Sequence, residues 1–296
     1  MASSRELRIA SWNVEHNGRG RSGDEDKRQL AHSIVKAFEP HVFFRQELTR
    51  AWDNGKADLY AEGTRLGLMP FMTRPPEGRS RNPVGIMIDP VLFDIVAEYQ
   101  YDLPWKPICR LRVRIKGCRR PIELASAHLC HFDPDIRATE ARWLTTLADC
   151  GRSVIVGGDM NSYPHTDLES ETLPDWDTIP DRVHYEHRTI ERDGKRVSDT
   201  RPDEILTGSG VFTDLGLYAS TILDQSGALL PTASLTRTDQ GPAQRIDRIC
   251  ATPDWAQTLT GYEVVATDDV KEVTDHGLVL ARFDLDAVCR MHDPIR

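Results

Sequence analysis

Short apolar runs rich in β-branched residues recur along the chain and are separated by polar stretches, which is typical of buried strands. The runs lie at residues 7–10, 42–44, 84–88, 122–126, 154–156 and 278–280. Between them, residues 26–38 and 135–150 repeat apolar side chains at helical spacing, and Pro134 directly before the second stretch is a plausible helix start. Strands that alternate with helices predict an α/β architecture.

Residues 106–120 alternate strictly between apolar and basic side chains. Leu111, Val113 and Ile115 face one way, whereas Arg110, Arg112, Arg114 and Lys116 face the other. The pattern predicts a half-buried strand whose solvated basic face protects a sheet edge from pairing. The alternative is a surface that follows the phosphates of a substrate. We favour the edge strand, because nothing in the sequence places this stretch beside the candidate chemistry.

Residues 163–210 form the region with the weakest pattern. They are rich in Asp, Glu, Arg and Pro, and most of the stretch shows neither helical nor strand periodicity. Segments of this length without regular elements are usually functional or mobile. No Gly/Ser linker divides the chain, so we predict a single domain over residues 1–296 with an insertion near the active site at about 163–210.

Composition changes this picture only at its margins. The 296 residues carry 37 Lys and Arg against 46 Asp and Glu, a net charge of −9, which argues against a protein that coats nucleic acid by bulk charge. It does not exclude an enzyme that binds a few phosphates at one site. Six cysteines are scattered without the spacing of a zinc site. No apolar run approaches the roughly 20 residues of a membrane span, and we expect a cytoplasmic protein.

Polar residues follow several of the predicted strands at the point where each strand ends. They are Asn13, Glu47, His128, Asp159 and Asn161, with Asp247 further on and Asp275 and His276 directly before the last strand. Functional groups gather at such strand ends because loops converge there on a rigid scaffold. Carboxylate and amide oxygens suit Mg²⁺ or Mn²⁺. Imidazoles beside carboxylates suit proton transfer or donation to a phosphate oxygen.

Each of these residues has an ordinary structural explanation when it is taken alone. Asn13 would cap a turn, and His128 would be a hydrogen-bonded core histidine. Asp247 lies close to Arg245 and Arg248 in the sequence, so it would form a surface ion pair of little energetic value. Taken singly, these explanations are better than the catalytic ones. The order of the residues along the chain reverses that preference.

The ordered segments resemble those of the endonuclease/exonuclease/phosphatase family, the deoxyribonuclease I-like superfamily. The matching segments are WNV (12–14), QE (46–47), AHL (127–129), GDMN (158–161), RIDRI (245–249) and TDH (274–276). GDMN and RID are the most specific of them, and six ordered matches are a far stronger signal than one motif. The resemblance implies a four-layered α/β sandwich of two mostly antiparallel sheets with helices outside, and hydrolysis of phosphoester bonds with a divalent metal.

The resemblance also implies a role for each matching residue. Glu47 is the principal metal ligand, Asn13 binds the metal or the substrate, and Asp275 contributes to the metal site. Asp159 orients or deprotonates the attacking water, and Asn161 holds the phosphate or that water. His276 contacts the scissile phosphate with its tautomer fixed by Asp247, while His128 is a second phosphate contact or the acid for the leaving oxygen. The sequence leaves open whether one or two Mg²⁺ (or Mn²⁺) ions bind.

Several further residues are candidate substrate contacts. Arg45 stands where the family has an apolar residue, and by strand alternation it shares a face with Glu47, so it binds phosphate or bridges to a carboxylate. His131 lies in a loop after His128 and is either a substrate contact or a solvated histidine. The remaining candidates are Arg79 and Arg81 in a loop before a strand, and His184 and Arg188 in the 163–210 region.

Three functional hypotheses remain. The first is a phosphodiesterase or nuclease, and the second is a phosphatase for a small phosphorylated metabolite, nucleotide or lipid headgroup. The third is a protein that binds phosphate without catalysis, which is disfavoured because all the expected catalytic residues are present. The expected partner is accordingly a nucleic acid or a small phosphorylated molecule.

Overall fold

The computed structural model describes residues 5–20, 25–101, 103, 105–237 and 239–293. The strands are β1 (Glu6–Asn13), β2 (Val42–Gln46), β3 (Met69–Met72), β4 (Gly85–Ile88), β5 (Phe93–Tyr101), β6 (Ile108–Ile115), β7 (Ile122–His128), β8 (Ser153–Asp159), β9 (Thr189–Arg192), β10 (Lys195–Ser198), β11 (Thr213–Asp214), β12 (Asp247–Ala251), β13 (Leu259–Val265) and β14 (Leu278–Asp284).

The helices are α1 (Arg28–Phe38), α2 (Asp53–Leu66), α3 (Pro134–Thr145), α4 (Arg182–Arg188), α5 (Arg201–Asp203), α6 (Leu215–Ile222), α7 (Pro253–Ala256), α8 (Asp268–Val273) and α9 (Leu285–Met291). Within the described ranges, none of them has the length and apolar character that a bilayer span requires.

The strands form two six-stranded sheets and one small hairpin. The first sheet has the order β13-β14-β1-β2-β4-β3, the second has the order β11-β12-β8-β7-β6-β5, and β9 pairs with β10. In each large sheet one pair of neighbours is parallel, β1 with β2 and β7 with β8, and the other pairs are antiparallel. The parallel pairs bring the carboxyl ends of four strands to the same edge of the molecule.

The alternation of side chains along the strands produces the layers. In β1, Leu7 and Ile9 enter the core between the sheets, whereas Ala10 and Trp12 pack on the opposite face with α1 and α8. The second sheet likewise buries one face between the sheets and covers the other with α3. Two packed sheets with helices on both outer faces confirm the predicted four-layered sandwich.

The predicted elements correspond to observed ones, with differences at their ends. Five of the six predicted apolar runs lie within β1, β2, β7, β8 and β14. The sixth, at 84–88, begins one residue before β4. Helix α3 begins where Pro134 predicted, because the Asp133 carboxylate accepts the amide hydrogens of Asp135 and Ile136. The predicted helix to residue 150 ends earlier, and Thr146–Gly151 forms a 3-10 turn.

The predicted edge position of the basic strand is wrong. Strand β6 pairs with β5 on one side and with β7 on the other, so β5 is the edge strand. The apolar residues of β6 face the core as predicted. On the other face, Arg110 and Arg112 both donate hydrogen bonds to Glu123 on β7, at 2.8 and 2.6 Å. Their charges therefore hold neighbouring strands together instead of facing solvent.

Residues 163–210 form short elements beside the strand ends of the second sheet. They contain α4, the β9–β10 hairpin and several tight turns, packed on a small cluster that includes Trp176 and Tyr185. Arg137 of α3, fully buried, bonds to Asp199 at 2.9 Å and to the carbonyl oxygen of His187 at 3.0 Å. This contact fixes the segment to the main body of the fold.

Candidate active site

Four strands direct polar side chains into the space between the sheets. The core residues Ile9, Leu124, Ile155 and Ile249 lie on inner faces, and Asn13, His128, Asp159 and Asp247 follow the same alternation in β1, β7, β8 and β12. Since successive side chains of a strand alternate between faces, an even spacing from the core residues places all four polar groups inward. They meet where the apolar core ends.

Two glycines before Asp159 allow close packing on β8, one against the other sheet and one against the neighbouring strand. A Cβ on Gly157 would lie 2.2 Å from the ring of Phe44 in the first sheet. A Cβ on Gly158 would lie 1.9 Å from the carbonyl oxygen of Ala127 on β7. No side chain fits at either position, so Gly157 allows the approach of the sheets that brings Asp159 to Asn13, and Gly158 allows the close pairing of β8 with β7.

Asp159 is the centre of the hydrogen-bonded cluster. Its Oδ1 accepts the backbone amide of Asn161 at 2.9 Å, and its Oδ2 accepts the side-chain amide of Asn13 at 3.1 Å. Burial alone would raise the pKa of Asp159, but contact with the His128 imidazole and the positive charges of His276 and Arg188 lower it to about 2. Asp159 is therefore ionised and held in one orientation.

His128 lies against Asp159 but stays neutral. Its Nε2 is 3.4 Å from Asp159 Oδ2, and its buried Nδ1 has no hydrogen-bond partner in the part of the chain that the structure describes. Burial and the nearby Lys106 ammonium lower the pKa of His128 well below its usual value. At neutral pH it can therefore donate one hydrogen bond, but it does not carry a positive charge.

His276 is the charged imidazole of the site. Its Nδ1 lies 2.8 Å from Asp247 Oδ2, and its Nε2 lies 3.5 Å from the Asn13 amide nitrogen. Burial alone would lower the pKa of His276, but the Asp247 carboxylate raises it to about 10. The pair fixes the ring and directs Nε2–H toward the cleft. Asp247 is thus no surface ion pair, and Arg245 and Arg248 bond elsewhere, to Glu169 and Asp203.

Glu47 follows β2 in a left-handed backbone conformation, with φ of +56°. Its Oε2 accepts the amide of His16 at 2.9 Å. The left-handed turn ends the strand alternation, so Arg45 and Glu47 do not share a face. Arg45 instead lies buried, 3.2 Å from Glu62 and 2.7 Å from the side-chain oxygen of Asn17. Of its two predicted roles, the bridge to a carboxylate is the one present.

The oxygens beside Glu47 fit a hard divalent cation. Asn13 Oδ1 is buried without a hydrogen-bond partner among the described residues, and Asn13 is the β1 neighbour of Gln46, which precedes Glu47. An unsatisfied buried carbonyl oxygen is costly unless a ligand binds it. Asp275 lines the same cleft, 3.5 Å from the Arg237 guanidinium. These three residues offer the oxygen ligands that Mg²⁺ or Mn²⁺ prefers.

A second group of potential metal ligands lies deeper. Among the residues that the structure describes, Asp159, Asp247 and His276 bring one ligand atom each to within 4.8 Å of one another. However, the Nδ1 atom of His276 is already engaged by Asp247 at 2.8 Å. This contact favours an ion pair with a structural and protonic role over a ligand set, and leaves the corner at Glu47 as the better cation site.

The cluster forms the floor of a cleft of about 310 Å³. Its walls come from the loop before β4, the start of β6, helix α4 and the loop after α6. Of the predicted substrate contacts, His131, His184 and Arg188 line it. Arg188 donates to the carbonyl oxygen of Asn161 at 3.0 Å and keeps a buried Nε without a partner. Burial lowers the pKa of both histidines to about 4.

The structure does not bring Arg79 and Arg81 into the cleft. Both are exposed, and Arg79 donates to the carbonyl oxygen of Leu103 at 2.9 Å. Ser80 and Asn82, the alternate residues of the same loop, line the cleft instead. We therefore leave these two arginines, like Arg45, out of the proposed substrate contacts.

Sequence reasoning missed several cleft residues. Lys106, Tyr163, His187 and Arg237 line the cleft although none belongs to a matching motif. Lys106 precedes β6, which runs antiparallel to β7, so strand pairing alone brings the start of β6 to the end of β7. Only the strand order, which the sequence did not supply, could have identified it. Tyr163 and His187 had a usable signal, since both lie in the 163–210 segment that follows GDMN.

The profile of the Endonuclease/Exonuclease/phosphatase family matches residues 10–276. No curated protein sequence matches the chain.

Among solved structures, a D. rerio TDP2 humanised by 14 mutations is 18% identical with a TM-score of 0.63, over 94% of this chain and 98% of that chain. An AP endonuclease from Archaeoglobus fulgidus is 18% identical with a TM-score of 0.63, over 94% and 99%. A Bacteroides thetaiotaomicron mannosyl-6-phosphatase is 15% identical with a TM-score of 0.62, over 93% and 98%. At these identities the likeness establishes a shared fold and leaves the substrate open.

Proposed function

The chain belongs to the Endonuclease/Exonuclease/phosphatase family, and on that premise we propose that it is a divalent-metal-dependent phosphodiesterase that cleaves by attack of an activated water. The main support for this proposal is the cluster on the cleft floor. There Asn13 and Asp159 are hydrogen-bonded at 3.1 Å, and His276 is positively charged beside Asp247. A fixed carboxylate, a cationic imidazole and unsatisfied oxygens for a cation are the components that phosphoester hydrolysis requires.

Asp159 holds the attacking water. Its two oxygens are already fixed by the Asn161 amide and the Asn13 side chain, so a water bound to it has one preferred position. A pKa of about 2 makes the carboxylate a weak base in the resting site. Its first task is therefore to orient the water, and the proton moves to it as the new P–O bond forms.

His276 and His128, both close to Asp159, are the hydrogen-bond donors for the phosphate. The cationic Nε2–H of His276 donates to a non-bridging or leaving oxygen, where negative charge grows in the transition state. Neutral His128 offers a second hydrogen bond but is not the acid, because its pKa is too low for it to hold an extra proton. When bound at Glu47, Asn13 and Asp275, Mg²⁺ or Mn²⁺ supplies positive charge against the phosphate oxygens.

A phosphatase for small phosphorylated molecules is the second candidate. The cleft measures about 310 Å³, and α4 forms one of its walls. The buried Arg137–Asp199 pair holds the segment of α4 in place, which favours a substrate that enters by one end over a duplex lying across a groove. Both candidate activities depend on the same residues of the cleft floor. They differ in the part of the substrate that contacts the cleft walls.

One substrate panel separates the two candidates. Plasmid DNA, single-stranded DNA, RNA, bis-p-nitrophenyl phosphate and p-nitrophenyl phosphate are each incubated with Mg²⁺ or Mn²⁺ and with chelator. We expect metal-dependent cleavage of at least one diester. Cleavage of the monoester alone would favour the phosphatase, and chelator-resistant cleavage would contradict the metal requirement. Asp159→Asn, purified in parallel, controls for contaminating hydrolases.

A further inference from the structure

Lys106 is buried inside the protein and forms no ion pair with any other residue that the structure describes. Its side chain is 3% exposed and lines the cleft, and no carboxylate among the described residues lies within ion-pair distance of its ammonium. Every other buried lysine or arginine of the described chain has such a partner. The pairs are Arg45–Glu62, Arg110–Glu123, Arg137–Asp199, Arg245–Glu169 and Arg248–Asp203.

A buried ammonium without a carboxylate in direct contact weakens a fold, because the charge has lost its water and has only more distant counter-charges. Burial lowers the pKa of Lys106 to about 8, so the group is still charged at neutral pH. An apolar side chain of the same size at position 106 would stabilise the fold better than lysine does. The charge is therefore available for an anion that is brought in by the ligand.

The position of the ammonium identifies that anion. The charges of Glu47 and Asp159 both act on Lys106, and Lys106 in turn lowers the pKa of His128. It thus lies among the proposed metal ligand, the carboxylate that holds water and the neutral imidazole. A phosphate that contacts those groups also reaches Lys106.

The backbone on both sides of the site is held by one buried carboxylate. Glu140 of α3 is fully buried, and its two oxygens accept the backbone amides of Trp105 at 2.9 Å and Cys130 at 2.8 Å. The Trp105 amide directly precedes Lys106. The Cys130 amide lies just after β7, which ends at His128. The lysine stem is therefore fixed before any substrate binds, which reduces the entropy lost on binding.

We propose that Lys106 is a catalytic residue that binds a non-bridging oxygen of the scissile phosphate. The inference rests on the proposed function, since it takes the cleft floor as the place of hydrolysis. The ammonium offsets the negative charge that grows on this oxygen while water attacks phosphorus, and no bond to the lysine forms or breaks. Arg can replace it in part, because it keeps the charge, but Met cannot.

The test compares Lys106→Met, Lys106→Arg and the control Lys116→Met. Lys116 is an exposed lysine just after β6 that donates to the carbonyl oxygen of Pro90. The probe is inorganic phosphate, titrated calorimetrically in Mg²⁺, together with kcat/KM on the best ester of the panel. We expect Lys106→Met to weaken phosphate binding about 10-fold or more and to lower kcat/KM about 100-fold. Lys106→Arg should recover most of both, and Lys116→Met should match the wild type.

The melting temperature separates a catalytic from a structural role. Lys106→Met should melt near the wild-type temperature, because the lost attraction to Glu47, Asp159 and Glu140 is offset by the removal of a buried charge. A Met variant that binds phosphate and turns over like the wild type would overturn the proposal, as would one that loses activity together with a lowered melting temperature. Lys106→Gln provides a second uncharged variant if the Met protein does not fold.

The outcomes also distinguish this inference from the proposed function. A wild type that binds phosphate through Lys106 but hydrolyses no ester would support the lysine contact and contradict hydrolysis. A wild type that hydrolyses esters with metal, beside an unimpaired Lys106→Met, would contradict the lysine contact alone. A wild type that neither binds nor hydrolyses would contradict both.

Discussion

Basic side chains behave differently on the two sides of the second sheet. On its outer face, Arg110 and Arg112 converge on Glu123, which is 2% exposed. In the cleft, Lys106 and Arg188 have no carboxylate within ion-pair distance among the described residues. A charge that the protein pairs internally holds the fold together, whereas a charge left unpaired at a cleft is available for a ligand. Mutations should therefore separate stability from activity according to the face they alter.

His276 is the strongest test of this distinction, because it is both paired and in the cleft. Its Nδ1 is held by Asp247 at 2.8 Å, whereas its Nε2 has only longer contacts, 3.5 Å to the Asn13 amide nitrogen and 3.8 Å to Asp275, so Nε2 still serves the substrate. We expect His276→Gln to lower kcat about 1,000-fold, since a charged donor to the phosphate is lost. Asp247→Asn should lower it less, because it acts through the ring. Steady-state kinetics on the preferred ester measures both effects.

The double variant supplies the control for that prediction. If Asp247 acts only by orienting and charging His276, adding Asp247→Asn to His276→Gln should change kcat little further. Fully multiplicative losses would show that the two residues act independently, contrary to the pair proposed here.

Glu123→Ala, on the outer face, should lower the stability of the fold and leave the activity unchanged, in contrast to His276→Gln. Removal of the carboxylate leaves Arg110 partly buried without its partner, which typically costs about 3 kcal/mol in the free energy of unfolding. The value of kcat/KM should stay near that of the wild type. Urea unfolding and steady-state kinetics test the two halves of this prediction. A variant of unchanged stability with reduced activity would reverse the roles of the two faces.

Arg188→Gln should have a smaller effect on activity. The guanidinium lines the cleft and keeps one hydrogen bond to the Asn161 carbonyl oxygen, so we expect kcat/KM to fall about 10-fold through a raised KM. Arg182→Gln is the matched control, since Arg182 lies on the same helix, stacked 3.7 Å from the ring of Tyr185 and outside the cleft lining. Equal losses in the two variants would show that helix stability, and not a substrate contact, is being measured.

Arg114→Ala should have the smallest effect. Arg114 is exposed and lies 3.9 Å from Asp94, a contact at the limit of an ion pair. We expect a change below about 0.5 kcal/mol in unfolding and no change in turnover. A large loss of nucleic-acid binding that depends on salt concentration would instead identify β6 as a phosphate-binding surface.

The cleft floor could be predicted because it obeys local rules. Asn13, His128 and Asp159 follow buried strands at an even spacing from core residues, so period-two alternation places them inward without knowledge of the strand order. The two-sheet sandwich itself came from the resemblance of the ordered motifs, and the topology confirms it. Short strands such as β12 escaped notice because the apolar run beside Asp247 is brief.

The cleft walls could not be predicted, because they depend on tertiary arrangement. A left-handed turn at Glu47, with φ of +56°, takes Glu47 out of the strand alternation, whereas Arg45 stays on the face of Phe43. Ser80 and Asn82 face the cleft in place of Arg79 and Arg81, which only the path of that loop decides. Lys106 reaches the site through the pairing of β6 with β7 and has no motif of its own.

Hydrolysis of bis-p-nitrophenyl phosphate by the wild type and Asp159→Asn, each with Mg²⁺, with chelator and with metal restored, tests the role of the cleft floor most directly. The wild type should turn over with metal, stop on chelation and recover when metal is restored. Asp159→Asn should stay folded and lose activity by about 1,000-fold or more in every condition. Turnover by Asp159→Asn at the wild-type rate would contradict the assignment of catalysis to this cluster.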